Sequence, residues 1–520
     1  MVHYLVLFCH SDYRIFHPEE ELMNRNYNVE KQHQKQKYHA YERILLLLDR
    51  GSFREIGAGI NNYEFNHSNT DSKSTEYDGV ITGRGTIGGK TVFIFSQDFT
   101  VSGGSIGLNH GRKIAKTIAL AIQARCPIIG LYDSGGARIG EGINALAGCG
   151  EMMHQNALAS GVIPQISVIV GPCAGAAAYS PAITDFVFMV EQIGQLYITG
   201  NKVIESVTGE QCTLQELGGA RVHAEKSGVA HFSFTSEKKC FAEVRKLVHT
   251  LPSSFEDKQS YKELSYDGGL PSLEDLVPED GKMAYSMHDL ITGIVDENSF
   301  IEVHKGFAPN MITGFAKVNS ISIGIIANNP LVNSGCIDRD SSDKAARMVR
   351  FCDAFNIPIF TLVDTPGYLP GISEEHNGII RHGAKLLFAY SEATTTKITF
   401  IVRKAYGGAY IAMGSKHLGA DYVYASSKAT LAVMGAEGAV SILHHRTLAQ
   451  TPEEEVGEVR NRLVEEYTRK YMNPSIAERE GYVDDVISVN DIRQRLFEDI
   501  KAFEHKSTNV IQKKHGNIPL

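Results

Sequence analysis

The chain of 520 residues contains no tryptophan, and none of its eight cysteines forms a Cys-x-x-Cys pair. The second absence argues against a zinc ribbon. Cys9, Cys126, Cys149, Cys173, Cys212, Cys240, Cys336 and Cys352 stand singly, as reduced core thiols of a cytosolic protein do. There is no basic excess: the formal net charge is -9. That disfavours nucleic acid or an anionic membrane as a partner, so an anionic ligand must be met by a local site. No apolar run reaches membrane-spanning length. The opening "MVHYLVLFCHSDYR" is too short in its apolar part for a signal sequence, and no small-residue cleavage site follows. A cytoplasmic protein that does not itself span a membrane is expected, with residues 1–30 as an N-terminal extension. No metal site is expected either. His444 and His445 are adjacent, so their side chains diverge on a helix.

A further lack is chemical. The stretch "RKAYGGAYIAMGSKH", 403–417, has no Asp, Glu, Cys or His between Tyr406 and Met413. A related stretch, "GPCAGAAAYSPA", lies at 171–182. Both are glycine-alanine elbows without an evident acid, base or nucleophile.

What the chain does have is an internal repeat, the feature to seek first. Val101 meets Val332, Gly104 meets Gly335, Pro127 meets Pro358 and Asp133 meets Asp364, each 231 residues on, as "VITG" at Val80 meets "MITG" at Met311. Gly175 is matched to Gly408 at an offset of 233. Each copy carries a β-rich run, a Gly-bearing turn and a helix with apolar residues at helical spacing (Ile114, Ile118, Ile122). A buried strand ("PIIGLYDS"; "PIFTLVDT") follows, then a loop, a helix and a strand ("QISVIVG"; "ITFIVRK") that ends in the elbow. Strands alternating with helices predict an α/β fold with mostly parallel sheets. Ligands then bind beyond the carboxyl ends of the strands. The polar, turn-rich segment 251–272 marks a boundary near residue 258. The charged helix "TPEEEVGEVRNRLVEEYTRKYM" reads as a solvated or subunit-packing helix.

A strand that ends in glycine and enters a helix exposes unpaired backbone N–H groups. Small side chains let a ligand oxygen come close. Such donors suit an oxyanion that develops during reaction, each worth about 3 kcal/mol of barrier. The candidate donors are Gly136, Ala137, Gly175 and Ala176 in the first repeat, and Gly371, Gly408 and Ala409 in the second. The bland alternative is close helix–strand packing; recurrence of the elbows at matched positions favours function.

"SGGARIGEG", "GPCAGAAAYSPA", "GCIDRDSSDKAARMVRFCDAFNIPI", "DTPGYLPG", "GIIRHGAKLL", "KAYGGAYIAM" and "AVMGAEGAV" closely resemble the carboxyltransferase subunits of biotin-dependent acyl-CoA carboxylases, nearest the propionyl-CoA carboxylase β type. The resemblance spans about residues 30–495. It implies two homologous crotonase-like domains, 31–258 binding acyl-CoA and 259–520 binding biotin. It also implies a homohexamer, a trimer of dimers with active sites at dimer interfaces. The implied reaction moves a carboxyl group from carboxybiotin to the α-carbon of a short-chain acyl-CoA such as propionyl-CoA. The alternative is the reverse transfer, as in a methylmalonyl-CoA decarboxylase α-subunit or a transcarboxylase subunit. Biotin would come on a partner, since the chain has no "AMKM" motif, and a biotin carboxylase with its biotin carboxyl carrier would be separate subunits. Gly103, Gly104, Arg138, Tyr179 and Ile411 are implied at the acyl-CoA, and Tyr368, Gly371, Tyr406 and Gly407 at the biotin. The chain departs from the family pattern at Ala176, where glycine is common, and at Ile411, where propionyl-type enzymes carry Asp. It departs again at "ASSKAT", 425–430, for the usual "AWPTAE", and at "KQKYHAYERI", 35–44, for "KGKLTARERI".

Among other residues, Asp133 and Asp364 are expected to cap the turns that follow them. His382 is expected to pack or hydrogen-bond on its helix. Arg138 and Lys113 are candidates for CoA phosphates or for a solvated surface. "VSGGSIG", 101–107, lacks the Lys-Ser/Thr of a phosphate-binding loop.

Overall fold

The computed structural model describes residues 29–63, 76–257, 272–507 and 511–520. The expected boundary at 258 and nearly all of the expected extension 1–30 lie outside the described residues. The chain forms two eight-stranded sheets, one per repeat. The first contains β1 (Arg54–Ile56), β2 (Val80–Ile87), β3 (Lys90–Gln97), β4 (Ile128–Ser134), β5 (Gln165–Ala174), β6 (Phe186–Val190), β7 (Gln195–Tyr197) and β8 (Phe232–Phe234). The second contains β9 (Ile301–Val303), β10 (Met311–Val318), β11 (Ile321–Asn328), β12 (Ile359–Thr365), β13 (Lys397–Tyr406), β14 (Tyr422–Ala425), β15 (Thr430–Ala432) and β16 (Asp485–Val486). Their orders are β1-β2-β3-β4-β5-β6-β8, with β7 on β5, and β9-β10-β11-β12-β13-β14-β16, with β15 on β13.

The hairpins β2–β3 and β10–β11 are antiparallel, whereas β3–β4–β5 and β11–β12–β13 run parallel. Every residue of β4 and of β12 is buried. That is why both strands read as near-continuous apolar runs: helices cover both faces of a parallel sheet. The helix Leu108–Ala124 buries Ile114, Ile118 and Ala121, while Ile122 lies at the stripe's edge, half-buried. The helix Arg339–Ala354 repeats it, capped by Asp338 on the Ser341 N–H at 2.8 Å.

One hydrophobic cluster runs through both halves. At their seam Phe186 of β6 meets Phe315 of β10 and Phe351 edge-on, with ring centroids 5.8 and 4.8 Å apart. Such ring pairs add about 1 kcal/mol each beyond their area. The seam is therefore part of the core. By contrast, the charged helix Val456–Tyr467 buries none of its residues.

The segment 35–44 closes the first sheet. Arg43, 1% exposed, donates to Glu237 (2.6 Å), Asp133 (3.0 Å) and the Val170 carbonyl (2.9 Å). Lys37 also pairs with Asp133 at 2.5 Å. His39 contacts the Asp98 carboxylate at 2.9 Å, and the Tyr77 hydroxyl donates to the same oxygen at 2.7 Å. The departure of this segment from the family pattern thus sits in a buried polar network.

Candidate functional site

The site is built at the carboxyl ends of two neighbouring strands in each half. β4 ends at Ser134, and the chain turns through Gly136, whose φ of +98° favours glycine. The turn is pinned to the loop before the first helix. Ile106 N–H donates to the Gly136 carbonyl at 2.8 Å, and Arg138 N–H donates to the Ile106 carbonyl at 2.9 Å. This leaves Ala137 facing the other way, its N–H without a hydrogen bond among the described residues. The second half repeats the device. Ile337 N–H donates to the Gly367 carbonyl at 3.1 Å, and Leu369 N–H donates to the Ile337 carbonyl at 2.8 Å, so Tyr368 is the counterpart of Ala137.

Two expectations change here. The Gly136 N–H is taken by the Ser134 hydroxyl at 3.1 Å, as Gly367 N–H is by Thr365 at 3.3 Å. Gly136 shapes the turn, and Ala137 offers the donor. Gly371 lies three residues beyond the true counterpart, Tyr368. It caps the short helix Ile372–His376 with φ +151°. The 231-residue offset already leads from Ala137 to Tyr368, which the resemblance places at the biotin without naming its N–H as a donor.

The elbows follow β5 and β13. Gly175 has φ +59° and Gly407 φ +58°, and each directly follows a ten-residue strand. Strand register confirms the match: Ser134 pairs with Cys173, and Thr365 with Ala405. The offset is therefore 232, and Gly175 corresponds to Gly407, not to Gly408. It follows that Ala176 corresponds to Gly408, and Ala177 to Ala409. Ala177 and Ala409 are both 0% exposed. In the helix Gly407–Ala412 the first three residues have no intrahelical acceptor for their N–H groups. Turn and elbow lie side by side. A β-carbon on Gly136 would stand 2.8 Å from the Ala174 carbonyl oxygen, and one on Gly408 would stand 3.8 Å from the Tyr368 ring.

The remaining expected residues divide. Gly104 is buried; a β-carbon there would stand 2.1 Å from the Asp133 carbonyl oxygen, whereas Gly103 has open space beside it. Arg138 is committed to Asp78 (2.6 Å), Glu141 (2.8 Å) and both the hydroxyl and carbonyl of Ser105 (3.2 and 2.8 Å), so it fixes the turn. Lys113 is buried, not surface-facing. Its Nζ donates to the Tyr77 and Val80 carbonyls at 2.8 and 2.5 Å, and burial lowers its pKa to about 8. Lys344 repeats this role on the His304 and Phe307 carbonyls at 2.9 and 2.8 Å. Tyr179 and Ile411 are open to solvent on the two elbow helices, 51% and 38% exposed. The Tyr406 hydroxyl pairs with Thr430 at 2.9 Å, tying the departing "ASSKAT" segment to the elbow.

Asp133 and Asp364 do not cap turns. Asp133 accepts from Arg43 and Lys37, and Asp364 from Arg403 Nε at 3.1 Å. They are buried ion-pair partners, one in each half. His382 holds Asp343 at 2.8 Å through Nδ1, a packing role on its helix as expected.

The sequence pattern of the carboxyl transferase domain family matches residues 31–518. The chain belongs to that family. It is 47% identical over 494 residues to the propionyl-CoA carboxylase β chain of Roseobacter denitrificans, covering 95% of this chain and 96% of that one. It is equally 47% identical over 494 residues to the methylmalonyl-CoA decarboxylase α subunit of Propionigenium modestum, covering 95% of each. The transcarboxylase 12S crystal structure, a hexamer with methylmalonyl-CoA and methylmalonic acid bound, matches with a TM-score of 0.90 at 46% identity. That match covers 95% of this chain and 94% of that one. The two repeats are crotonase-like domains, and this carboxyl transferase family member is an acyl-CoA carboxylase carboxyltransferase subunit.

Proposed function

We propose that the chain transfers a carboxyl group between biotin carried on a partner protein and the α-carbon of a short-chain acyl-CoA, propionyl-CoA foremost. The observation that carries this reading is the paired arrangement of free N–H groups. Each half sets a turn donor, Ala137 or Tyr368, beside an elbow whose first N–H groups have no helical acceptor. Two such strips suit two oxyanions. In the first domain, 31–258, Ala137, Gly175 and Ala176 hold the thioester oxygen as the enolate forms. In the second, 259–520, Tyr368, Gly407, Gly408 and Ala409 hold the ureido oxygen of biotin. Carboxybiotin supplies the carboxyl group and, having released it, the base. No acid or base is then required of residues 406–413, and none is there.

Assembly belongs to the same reading. Ile139, Ile143 and Leu146 lie exposed in the first half, and Ile372, Ile380, Val433, Ile442 and Leu443 in the second. Apolar surface of this extent marks interaction faces. A homohexamer, a trimer of dimers, brings the first domain of one protomer to the second domain of another. A biotin carboxylase and a biotin carboxyl carrier complete the enzyme in the cytoplasm. Among the described residues, no helix is long and apolar enough to cross a membrane.

The same donors serve the reverse transfer, and the equal identity to a carboxylase chain and a decarboxylase chain favours keeping both directions. Purified chain is offered free biotin with malonyl-CoA or methylmalonyl-CoA, and the carboxyl transferred is measured. Transfer from methylmalonyl-CoA is expected; transfer from neither compound overturns the reading. Running the biotin carboxylase-coupled reaction beside it decides the direction.

A further inference from the structure

The two repeats carry the same backbone path but exchange bulk across it. In the second half the turn residue is Tyr368, and the elbow residue opposite is Gly408. The Tyr368 ring has Cε2 3.8 Å and Cδ2 3.9 Å from where a β-carbon on Gly408 would stand. Ring and missing methyl belong together: the ring fills the gap that the glycine leaves. In the first half the same two places hold Ala137 and Ala176. Both are half-buried and pack on the core of that half. No ring stands there, so the surroundings of the free Ala137 N–H are bounded by small side chains. The Ala176 methyl is the one feature of the elbow there that its counterpart Gly408 lacks. Gly136 fixes the spacing: it sits so close to the Ala174 carbonyl that no side chain fits between turn and elbow.

We infer that Ala176 sets the acyl-chain length that the first half accepts. The inference rests on the reading that the first half takes the acyl-CoA. The Ala176 N–H stays available to the thioester oxygen, while its methyl narrows the space beside the acyl carbons. A glycine there would admit a longer chain. The discrimination available is that of one methylene-sized contact, about tenfold or somewhat more. It acts on acyl groups and leaves biotin untouched, because the equivalent place in the second half is Gly408, already without a methyl.

The test compares Ala176→Gly with the unaltered chain, each assembled with its biotin-bearing partner. The kcat/KM is measured for acetyl-, propionyl- and butyryl-CoA. The variant keeps every backbone donor and removes one half-buried methyl, so it should fold. The butyryl-to-propionyl ratio is expected to rise about tenfold. A ratio that stays within about twofold, or an equal change on all three substrates, overturns the role of Ala176. Gly408→Ala is the companion variant; its new β-carbon meets the Tyr368 ring at ordinary contact distance. It should raise the KM for the biotin substrate and leave the acyl ratios alone. Acyl ratios that move with Gly408→Ala and not with Ala176→Gly overturn the inference as well. Failure of the underlying reading looks different: the unaltered chain then carboxylates none of the three acyl-CoAs.

Discussion

His231 and His304 stack at the seam of the two halves, their ring centroids 4.1 Å apart and their planes 24° from parallel. The Val187 N–H donates to His231 Nδ1 at 3.1 Å, and His304 Nε2 meets the Gly228 carbonyl at 2.9 Å. Arg347 approaches His231 at 3.3 Å, and Lys344 holds the His304 carbonyl at 2.9 Å. Among the described residues, no carboxylate pairs with either ring.

Acid should therefore loosen the fold. Burial lowers His304 and His110 to about 3 and His231 well below its ordinary value. Their contribution is full above the unfolded pKa near 6.5 and is lost as the pH falls below it. Asp185 and Asp499 oppose this. Burial raises each to about 6, so their contribution is present in acid and lost as the pH rises through 6. Burial also raises Asp78 and Asp364, while Lys344, lowered to about 7 by burial, acts in the same sense as the histidines, whose shifts are the larger. Stability should drop between pH 7 and pH 5, where the unfolded histidines take up protons that the buried ones do not. The urea midpoint at the two values measures it; equal midpoints would contradict the balance.

Arg43→Met tests the buried network of the first half. The substitution leaves Glu237 with only the Tyr38 N–H, at 3.0 Å, among the partners described, and Asp133 with Lys37. Removing one partner from a buried ion pair costs about 3–5 kcal/mol. A loss below about 1 kcal/mol in urea unfolding would show that the pairing adds little.

The repeat made both sheets, both turns and both elbows legible, because an offset of 231 residues held from Val80 to Asp364. It slipped by one at the elbows. One extra residue between β12 and β13 moves the offset to 232, and successive glycines let the match slide to Gly408. Only the φ of Gly175 and Gly407, with the strand register, fixes it. The partners of Asp133 and Asp364 were not legible. Arg43 reaches Asp133 from 90 residues away, while Arg403 comes from the adjacent strand. Two different sources serve one repeated carboxylate, and no local spacing rule finds either.

Tyr368→Phe probes a buried hydroxyl. Among the described residues the Tyr368 phenol oxygen has no hydrogen-bond partner, and burial raises its pKa to about 12. It lies against Gly383, where a β-carbon would stand 3.1 Å from it. An unmet buried hydroxyl costs about 1–3 kcal/mol. The phenylalanine variant should be more stable by about 1 kcal/mol, seen as a higher urea midpoint. A lower midpoint would mean that the hydroxyl is bonded in solution.

Ala409→Pro tests the donor role of the second elbow. Ala409 is the third residue of the helix Gly407–Ala412, so its N–H has no intrahelical acceptor. Proline there breaks no helical hydrogen bond, since the first turn leaves such groups unpaired. It deletes the proposed contact to the ureido oxygen. The rate of carboxyl transfer should fall about 100-fold or more. Ala409→Gly separates packing from donation. The Ala409 methyl is wholly buried, so its removal should cost about 1 kcal/mol of stability and leave most of the rate. Proline also constrains Gly408 before it, so the variant must retain its oligomeric state and acyl-CoA affinity. A folded Ala409→Pro protein that transfers carboxyl groups at near-normal rate would remove this N–H from the mechanism.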